Sequence, residues 1–355
     1  MPQVIHPDIE KILAKPPQYT RLKRHLGTLL HHSTLKKLIN LVGIECSRKI
    51  RQQTLSFFPY IIIVDTGNIC NLRCPLCPTG CREKGVSRHF MELEDFRRIV
   101  DYFAPWAYEV TLHNWGEPFL NKNILKMIRY CAEKNIGTNL SSNLNHMPFS
   151  PEELVRSGLE YLIVSLDGTT QDIYEKYRVS GNIDTVLNNL KAIIQAKERL
   201  NSNTPLIEWQ FLVMKHNYHQ IAEAKELSRQ MGVDVMRFIP VGLPFDASDK
   251  EKLMKQWYPY MLDDDTYIHD RFLQKPIKGG CFYLYRSVTI TPLGNVAPCC
   301  AVWKDSDNFG NVFREDFRTI WNNKCYTSAR ALFTERGKLP DHITTCCDRC
   351  SIFER

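Results

Sequence analysis

Long hydrophobic runs are missing from this 355-residue chain. The Ile61–Val64 stretch is short, far below the roughly 18 apolar residues that a membrane-crossing helix needs. The first twenty residues carry no apolar core of the kind a secretory signal requires, so export is not expected. There are no internal repeats and no low-complexity tracts, and composition is ordinary, with 43% hydrophobic and 24% charged residues. Extended disorder, collagen-like repeats and coiled-coil fibres are therefore excluded. Beyond residue 60 there is no excess of either charge sign. A basic face spread over a folded domain, as nucleic-acid binding would require, is thus absent, and no nucleic-acid partner is expected.

What charge excess exists sits in one place. Residues 1–60 contain ten Lys and Arg against Asp8, Glu10 and Glu45, which accounts for the whole net charge of +7. Within this segment Leu22, Leu26, Leu29 and Leu30, then Leu35, Leu38, Ile39 and Val42, recur at helical spacing, with Ser33 or Thr34 as the N-cap between two helices. The pattern predicts a helical extension over residues 1–57 packed on the main domain through its apolar faces. A second reading makes residues 20–52 a surface for anionic membrane or an acidic partner.

From residue 58 strand-like and helix-like runs alternate. Strands are expected at Tyr60–Thr66, Glu109–His113, Gly137–Ser142, Tyr161–Leu166, Ile207–Met214 and Val233–Pro240. Helices are expected at Leu93–Phe103, Lys122–Lys134, Pro151–Ser157, Ile183–Leu200 and Tyr218–Met231. This rhythm predicts an α/β fold, a partial (β/α)6 barrel over 58–243, with its site at the C-terminal strand ends. Residues 244–276, with the acidic run Asp263–Asp265, read as a connector. Residues 277–355 read as a small metal-stapled domain, with a strand at Tyr283–Thr291 and a helix at Phe317–Trp321.

Thirteen cysteines suit metal binding or catalysis in a reducing compartment better than disulfides, so a cytoplasmic location is expected. Cys46 and Cys131 stand alone and read as small buried residues. Cys70, Cys74 and Cys77 follow the first strand as C-x3-C-x2-C. Three thiolates on one loop can hold three irons of a four-iron cluster and leave one open, while Cys81 would allow a closed cluster or a zinc knot.

A C-x3-C-x2-C at the end of the first strand of a six-fold βα chain resembles the radical S-adenosylmethionine (SAM) family. That resemblance implies that the open iron chelates the amino and carboxylate groups of SAM. It also implies that an electron from the reduced cluster breaks a sulfonium bond, giving a 5′-deoxyadenosyl radical that abstracts a hydrogen atom from substrate. Leu76 stands where the family often has an aromatic residue. Asn114-Trp115-Gly116-Glu117-Pro118 after the second strand is similar to the family's Gly-Gly-Glu-Pro motif and implies contact with the SAM ammonium. Ser142 after the third strand and Ser165 and Asp167 after the fourth match at the expected places; Arg178 would pair with the SAM carboxylate, and Gln210 on the fifth strand is a further contact.

Cys281, Gly294, Cys299, Cys347 and Cys350 form C-x12-G-x4-C followed by C-x2-C, four thiolates for a closed cluster or a zinc ribbon. Gly294 marks a turn needing positive φ that would set Cys281 and Cys299 on paired strands. The region resembles the SPASM/twitch auxiliary-cluster domain, closer to the one-cluster twitch form, which implies an auxiliary [4Fe–4S] cluster that receives an electron from the substrate. Cys346 and Cys300 neighbour two of the ligands, so each ligand assignment stands one residue from an alternative.

These resemblances lead to an oxidoreductase acting on a small polar molecule such as a sugar or aminocyclitol, with a flavodoxin or ferredoxin as reductant. The alternatives are an epimerase, with Cys81, Cys300, Cys325 or Cys346 as hydrogen donor, and a peptide- or protein-modifying maturase. A non-catalytic iron–sulfur or zinc protein is the reading of another class.

Overall fold

A computed structural model describes residues 18–244, 247, 249–259, 279–334, 337–350, 352 and 353. The Asp263–Asp265 run of the expected connector lies outside the described residues. In chain order the helices are α1 (Gln18–His31), α2 (Leu35–Lys49), α3 (Leu93–Phe103), α4 (Ile124–Glu133), α5 (Pro151–Val155), α6 (Gln171–Tyr174), α7 (Ile183–Arg199), α8 (Ile221–Met231), α9 (Lys250–Trp257), α10 (Tyr283–Arg286), α11 (Phe317–Trp321) and α12 (Lys324–Ala331). The strands are β1 (Ile61–Val64), β2 (Glu109–Thr111), β3 (Gly137–Ser142), β4 (Tyr161–Ser165), β5 (Leu206–Val213), β6 (Val235–Pro240), β7 (Ser287–Ile290), β8 (Asn295–Ala297) and β9 (Gly310–Asn311).

The chain forms two compact units. One comprises the described residues within 1–27, 70–82 and 139–274, the other those within 28–69, 83–138 and 275–355. In the first, β3, β4, β5 and β6 run parallel in that order. β4 and β5 are largely apolar and buried, as strands covered by helices on a face require, whereas β3 is mostly small and polar. α7 supplies cover with Ile183, Val186, Leu190, Ile193 and Ile194 buried at helical spacing.

In the second unit the order is β2-β1-β7-β8-β9. β1 pairs in parallel with both β2 and β7, and β8 and β9 continue antiparallel. The C-terminal segment read as a separate small domain therefore extends the sheet beside β1. Among the described residues neither β6 nor β9 pairs with a further strand, as in a partial barrel. Phe58 stacks on Trp106 with centroids 4.1 Å apart, and Phe103 and Phe317 meet edge to face at 4.7 Å. Arg330 is fully buried among Trp321, Tyr326 and Tyr285, and it donates to the carbonyls of Leu284, Gln53 and Trp321.

Two expectations fail here. Tyr283–Thr291 is not one strand, because the first four residues coil into α10 and only Ser287–Ile290 pairs. The reversal in α2 is larger. Its inward face holds Lys37, Asn40, Ile44 and Ser47, while Leu35, Leu38, Ile39 and Val42 point to solvent. Polar anchors dictate this orientation. The Asn40 amide donates to the Phe58 carbonyl and accepts from the Phe58 N–H, both at 2.9 Å. Lys37 Nζ donates to the Asn135 carbonyl at 2.6 Å. Arg286 grips the Glu45 carboxylate at 2.5 and 2.7 Å. Thr34, one of the two cap candidates, accepts from the Lys37 N–H and starts the helix.

Candidate active site and metal centres

In the first unit the loop of residues 70–82 carries Cys70, Cys74 and Cys77 on successive turns. Its fold is local: the Cys77 N–H bonds the Cys74 carbonyl at 3.1 Å and the Cys81 N–H bonds the Cys77 carbonyl at 2.8 Å. A side chain at Gly80 would put its Cβ 2.5 Å from the Cys74 carbonyl oxygen, so only glycine fits there. Leu72, Cys74 and Leu76 are buried in an apolar cluster with Tyr177, Met214 and Trp257. Leu76, where the family often has an aromatic residue, is thus packed within the protein.

Donors converge on these sulfurs. The Leu72 N–H bonds Cys70 Sγ at 3.4 Å, Asn143 Nδ2 lies 3.8 Å from Cys70 Sγ, and Arg178 Nη1 lies 3.8 Å from Cys74 Sγ. N–H groups aimed at sulfur stabilise thiolates, so this donor set fits an iron–sulfur ligand loop. Burial pushes the Cys74 thiol up to about 11, a penalty that a bound cation would remove. Cys81 is turned to the backbone, its thiol 2.9 Å from the Pro75 carbonyl.

Behind the loop, Arg178 Nε donates to Asp167 Oδ2 at 2.5 Å, and the other carboxylate oxygen accepts from the Leu212 N–H at 2.7 Å. Burial opposes the charge on Arg178, but the Asp167 carboxylate outweighs it and holds the guanidinium protonated, above its ordinary value. Asp167 is thereby a brace for Arg178 and β5. Ser165 and Ser141 hydroxyls lie 3.1 Å apart, and Ser142 accepts from the Leu144 N–H. Gln210 is bonded to Arg237, which also donates to Glu208 at 2.6 Å. Strand register sets Ser165 beside Gln210 and Gln210 beside Arg237. Asn143 was legible as a polar residue after the third strand; Glu208 and Arg237 were signalled only as charges inside apolar strands.

In the second unit the loop after β2 is held from below. A Cβ on Gly116 would sit 1.6 Å from the Gly67 carbonyl oxygen. The Glu117 N–H bonds the Ile69 carbonyl at 2.9 Å, its buried carboxylate accepts from the Phe119 N–H at 3.1 Å, and Pro118 opens the helical turn. Asn114, its amide oriented to satisfy its neighbours, donates to the Cys300 carbonyl at 3.1 Å, and Trp115 Nε1 donates to the Val302 carbonyl at 3.0 Å. Asn114 thus serves as a strut to the C-terminal segment. Burial raises Asp65, which accepts from the Trp115 N–H, to about 7.

The same unit gathers the late cysteines. Gly294 has φ +79° and closes the β7–β8 turn as expected. Cys281 and Cys299 do not lie on the paired strands; Cys281 precedes α10 and Cys299 follows β8. Even so, Cys281 lies in electrostatic reach of Cys350 and Cys300, Cys299 of Cys281, Cys300 and Cys346, and Cys347 of Cys281, Cys299 and Cys346. Burial raises Cys281 to about 12 and Cys299 well above its ordinary value. Cys347 is raised first by its hydrogen bond to Cys346 and then by burial. Cys300 is bonded to the Tyr283 hydroxyl, and Cys325 is half-buried. Four thiols gathered in one unit, Cys281, Cys299, Cys347 and Cys350, fit the four-thiolate ligand set of an iron–sulfur cluster.

Family models match at both places: the radical SAM superfamily over residues 64–208 and the SPASM iron–sulfur cluster-binding domain over residues 281–351. The chain thus carries a radical SAM domain followed by a SPASM domain. Its two domains imply [4Fe–4S] clusters and SAM as cofactors. A curated relative, the probable GTP 3′,8-cyclase of Methanocaldococcus jannaschii, is 27% identical over 194 residues, which is 54% of this chain and 60% of that protein. The chain thus spans less than two thirds of that relative. The AdoMet-dependent heme synthase of Methanosarcina barkeri is 20% identical over 288 residues, covering 72% of this chain and 79% of that one. Among solved structures, Streptococcus suis SuiB bound to S-adenosylmethionine superposes with TM-score 0.60 at 18% identity, over 83% of this chain and 72% of that chain. This likeness shows a shared fold.

Proposed function

We propose that this chain is a radical SAM oxidoreductase acting on a small polar molecule such as a sugar or aminocyclitol. The observation that carries the reading is the loop of Cys70, Cys74 and Cys77, with N–H donors from Leu72, Asn143 and Arg178 aimed at two of its sulfurs. These three cysteines hold the SAM-binding cluster. When bound, cluster and SAM supply reductive cleavage of the sulfonium and abstraction of a substrate hydrogen atom. Asn143 and Arg178 tune the thiolates, and Leu72 and Leu76 keep that side of the loop dry. Glu117, on a loop that Gly116 alone permits, receives the SAM ammonium. Arg178 is pre-aimed by Asp167 and offers its remaining N–H groups to the SAM carboxylate. Ser165, Ser142 and Gln210 contact the nucleoside and the substrate.

Cys281, Cys299, Cys347 and Cys350 would hold the auxiliary cluster, which would accept the electron left on the substrate after hydrogen-atom abstraction and loss of a proton, completing a two-electron oxidation. A flavodoxin or ferredoxin would supply the separate electron consumed in SAM cleavage. Cys300 is engaged with Tyr283 and Cys346 with Cys347, which leaves Cys81 and Cys325 as the donor candidates of the epimerase alternative. A second reading, a peptide maturase, is supported by the structure of SuiB bound to precursor peptide SuiA, which superposes with TM-score 0.59 over 80% of this chain. Deuterium transfer separates the two. Deuterated sugars and aminocyclitols, and deuterated peptides, are incubated with reduced enzyme and SAM. Label in 5′-deoxyadenosine together with a product two hydrogens lighter is expected from the former. Transfer only from peptides overturns the small-molecule reading.

A further inference from the structure

Helix α2 is inside out. At about 100° per residue, Leu35, Leu38, Ile39, Val42 and Cys46 fall in one arc roughly 100° wide. All five are exposed, and Leu30 before the helix and Ile50 after it are 80% and 72% exposed. The opposite arc, with Lys37, Asn40 and Ser47, is buried. Free rotation would bury the leucines instead, so the hydrogen bonds of Asn40 and Lys37 and the Glu45–Arg286 ion pair fix the apolar face outward. A contiguous apolar face of this kind marks an interaction site.

Charge identifies the occupant. Lys36, its ammonium 5.5 Å from the Trp106 ring centroid, borders the apolar arc and Lys49 lies within it, both exposed. Glu45, the one carboxylate between residues 28 and 52, is already held by Arg286 and Arg48. A second copy of the chain would set these cations against themselves. We propose that residues 30–50 dock in the interface of an anionic lipid bilayer, α2 lying parallel to the surface with its apolar arc among the acyl chains and its lysines at the headgroups. No described helix is long and apolar enough to cross a membrane, so the contact is peripheral.

The full chain is floated with vesicles of equimolar phosphatidylcholine and phosphatidylserine, and with pure phosphatidylcholine. Wild type is expected to float with the anionic vesicles. Leu38→Gln/Val42→Gln lowers the bound fraction at least about tenfold. Lys36→Gln/Lys49→Gln lowers it severalfold on anionic vesicles and leaves the weak binding to neutral ones unchanged. Both pairs are solvent-exposed and lie off the buried arc, so the fold is kept. Failure of wild type to float, or equal flotation of wild type and both variants, overturns the proposal. So does a dimer in wild type that Leu38→Gln/Val42→Gln converts to monomer, because a second copy then covers the face.

Discussion

Gly116 shows how little freedom the site residues have. With its Cβ position 1.6 Å from the Gly67 carbonyl oxygen, Gly116→Ala must displace one of two backbone segments. We expect this variant to lose about 1–3 kcal/mol of stability in denaturant titration and to weaken SAM binding, because Glu117 moves with the loop. Unchanged stability would show that the loop is not held against Gly67. Arg178 is constrained in another way. Its Nε is committed to a fully buried Asp167, so Arg178→Ala strands that carboxylate and should cost about 3–5 kcal/mol, while Arg178→Lys keeps the charge but loses the planar fork. At this scale the sequence was legible where spacing is the signal: Cys70, Cys74 and Cys77 share one loop, and Gly294 closes the β7–β8 turn. Asn114 was read as a cofactor contact because its neighbours in sequence point to SAM. Its hydrogen bond to Cys300 joins residues 186 positions apart, and no local pattern reports such a contact.

Elements follow their periodicity until a polar group claims a different orientation. α3 behaves as its pattern predicts, burying Phe96, Ile99, Val100 and Phe103. α2 has an equally clear apolar stripe and turns it outward, since a few buried hydrogen bonds and an ion pair fix its roll against the Phe58 backbone and Arg286. Lys37 gives a direct test. Burial lowers its ammonium to about 8 from the ordinary 10.5. Between those values the unfolded chain binds a proton that the folded chain does not, so stability rises with pH through that window. Wild type should gain up to about 3 kcal/mol over Lys37→Met between pH 8 and 10.5 in urea unfolding. Parallel pH curves would mean that Lys37 is not buried. The misread strand at Tyr283–Thr291 has a similar origin: aromatic residues suit a strand, yet Leu284 and Tyr285 pack in a helical turn over Arg330.

For the whole molecule, the alternation of apolar runs with amphipathic helices was enough to read an open α/β barrel, because each βα unit is written locally. That β7 would lie beside β1 was not legible, since strand partnership across more than 200 residues leaves no trace in either segment. The molecule as a whole is a scaffold that carries two cysteine sites, and the account stands on the first of them. The most direct measurement is 5′-deoxyadenosine formation by anaerobically reconstituted, dithionite-reduced protein supplied with SAM. Wild type, loaded with about eight irons for two four-iron clusters, should produce it. Cys74→Ala should produce none while keeping about four irons at the auxiliary site. Failure of the loaded wild type to form 5′-deoxyadenosine, or undiminished formation by Cys74→Ala, would contradict the account.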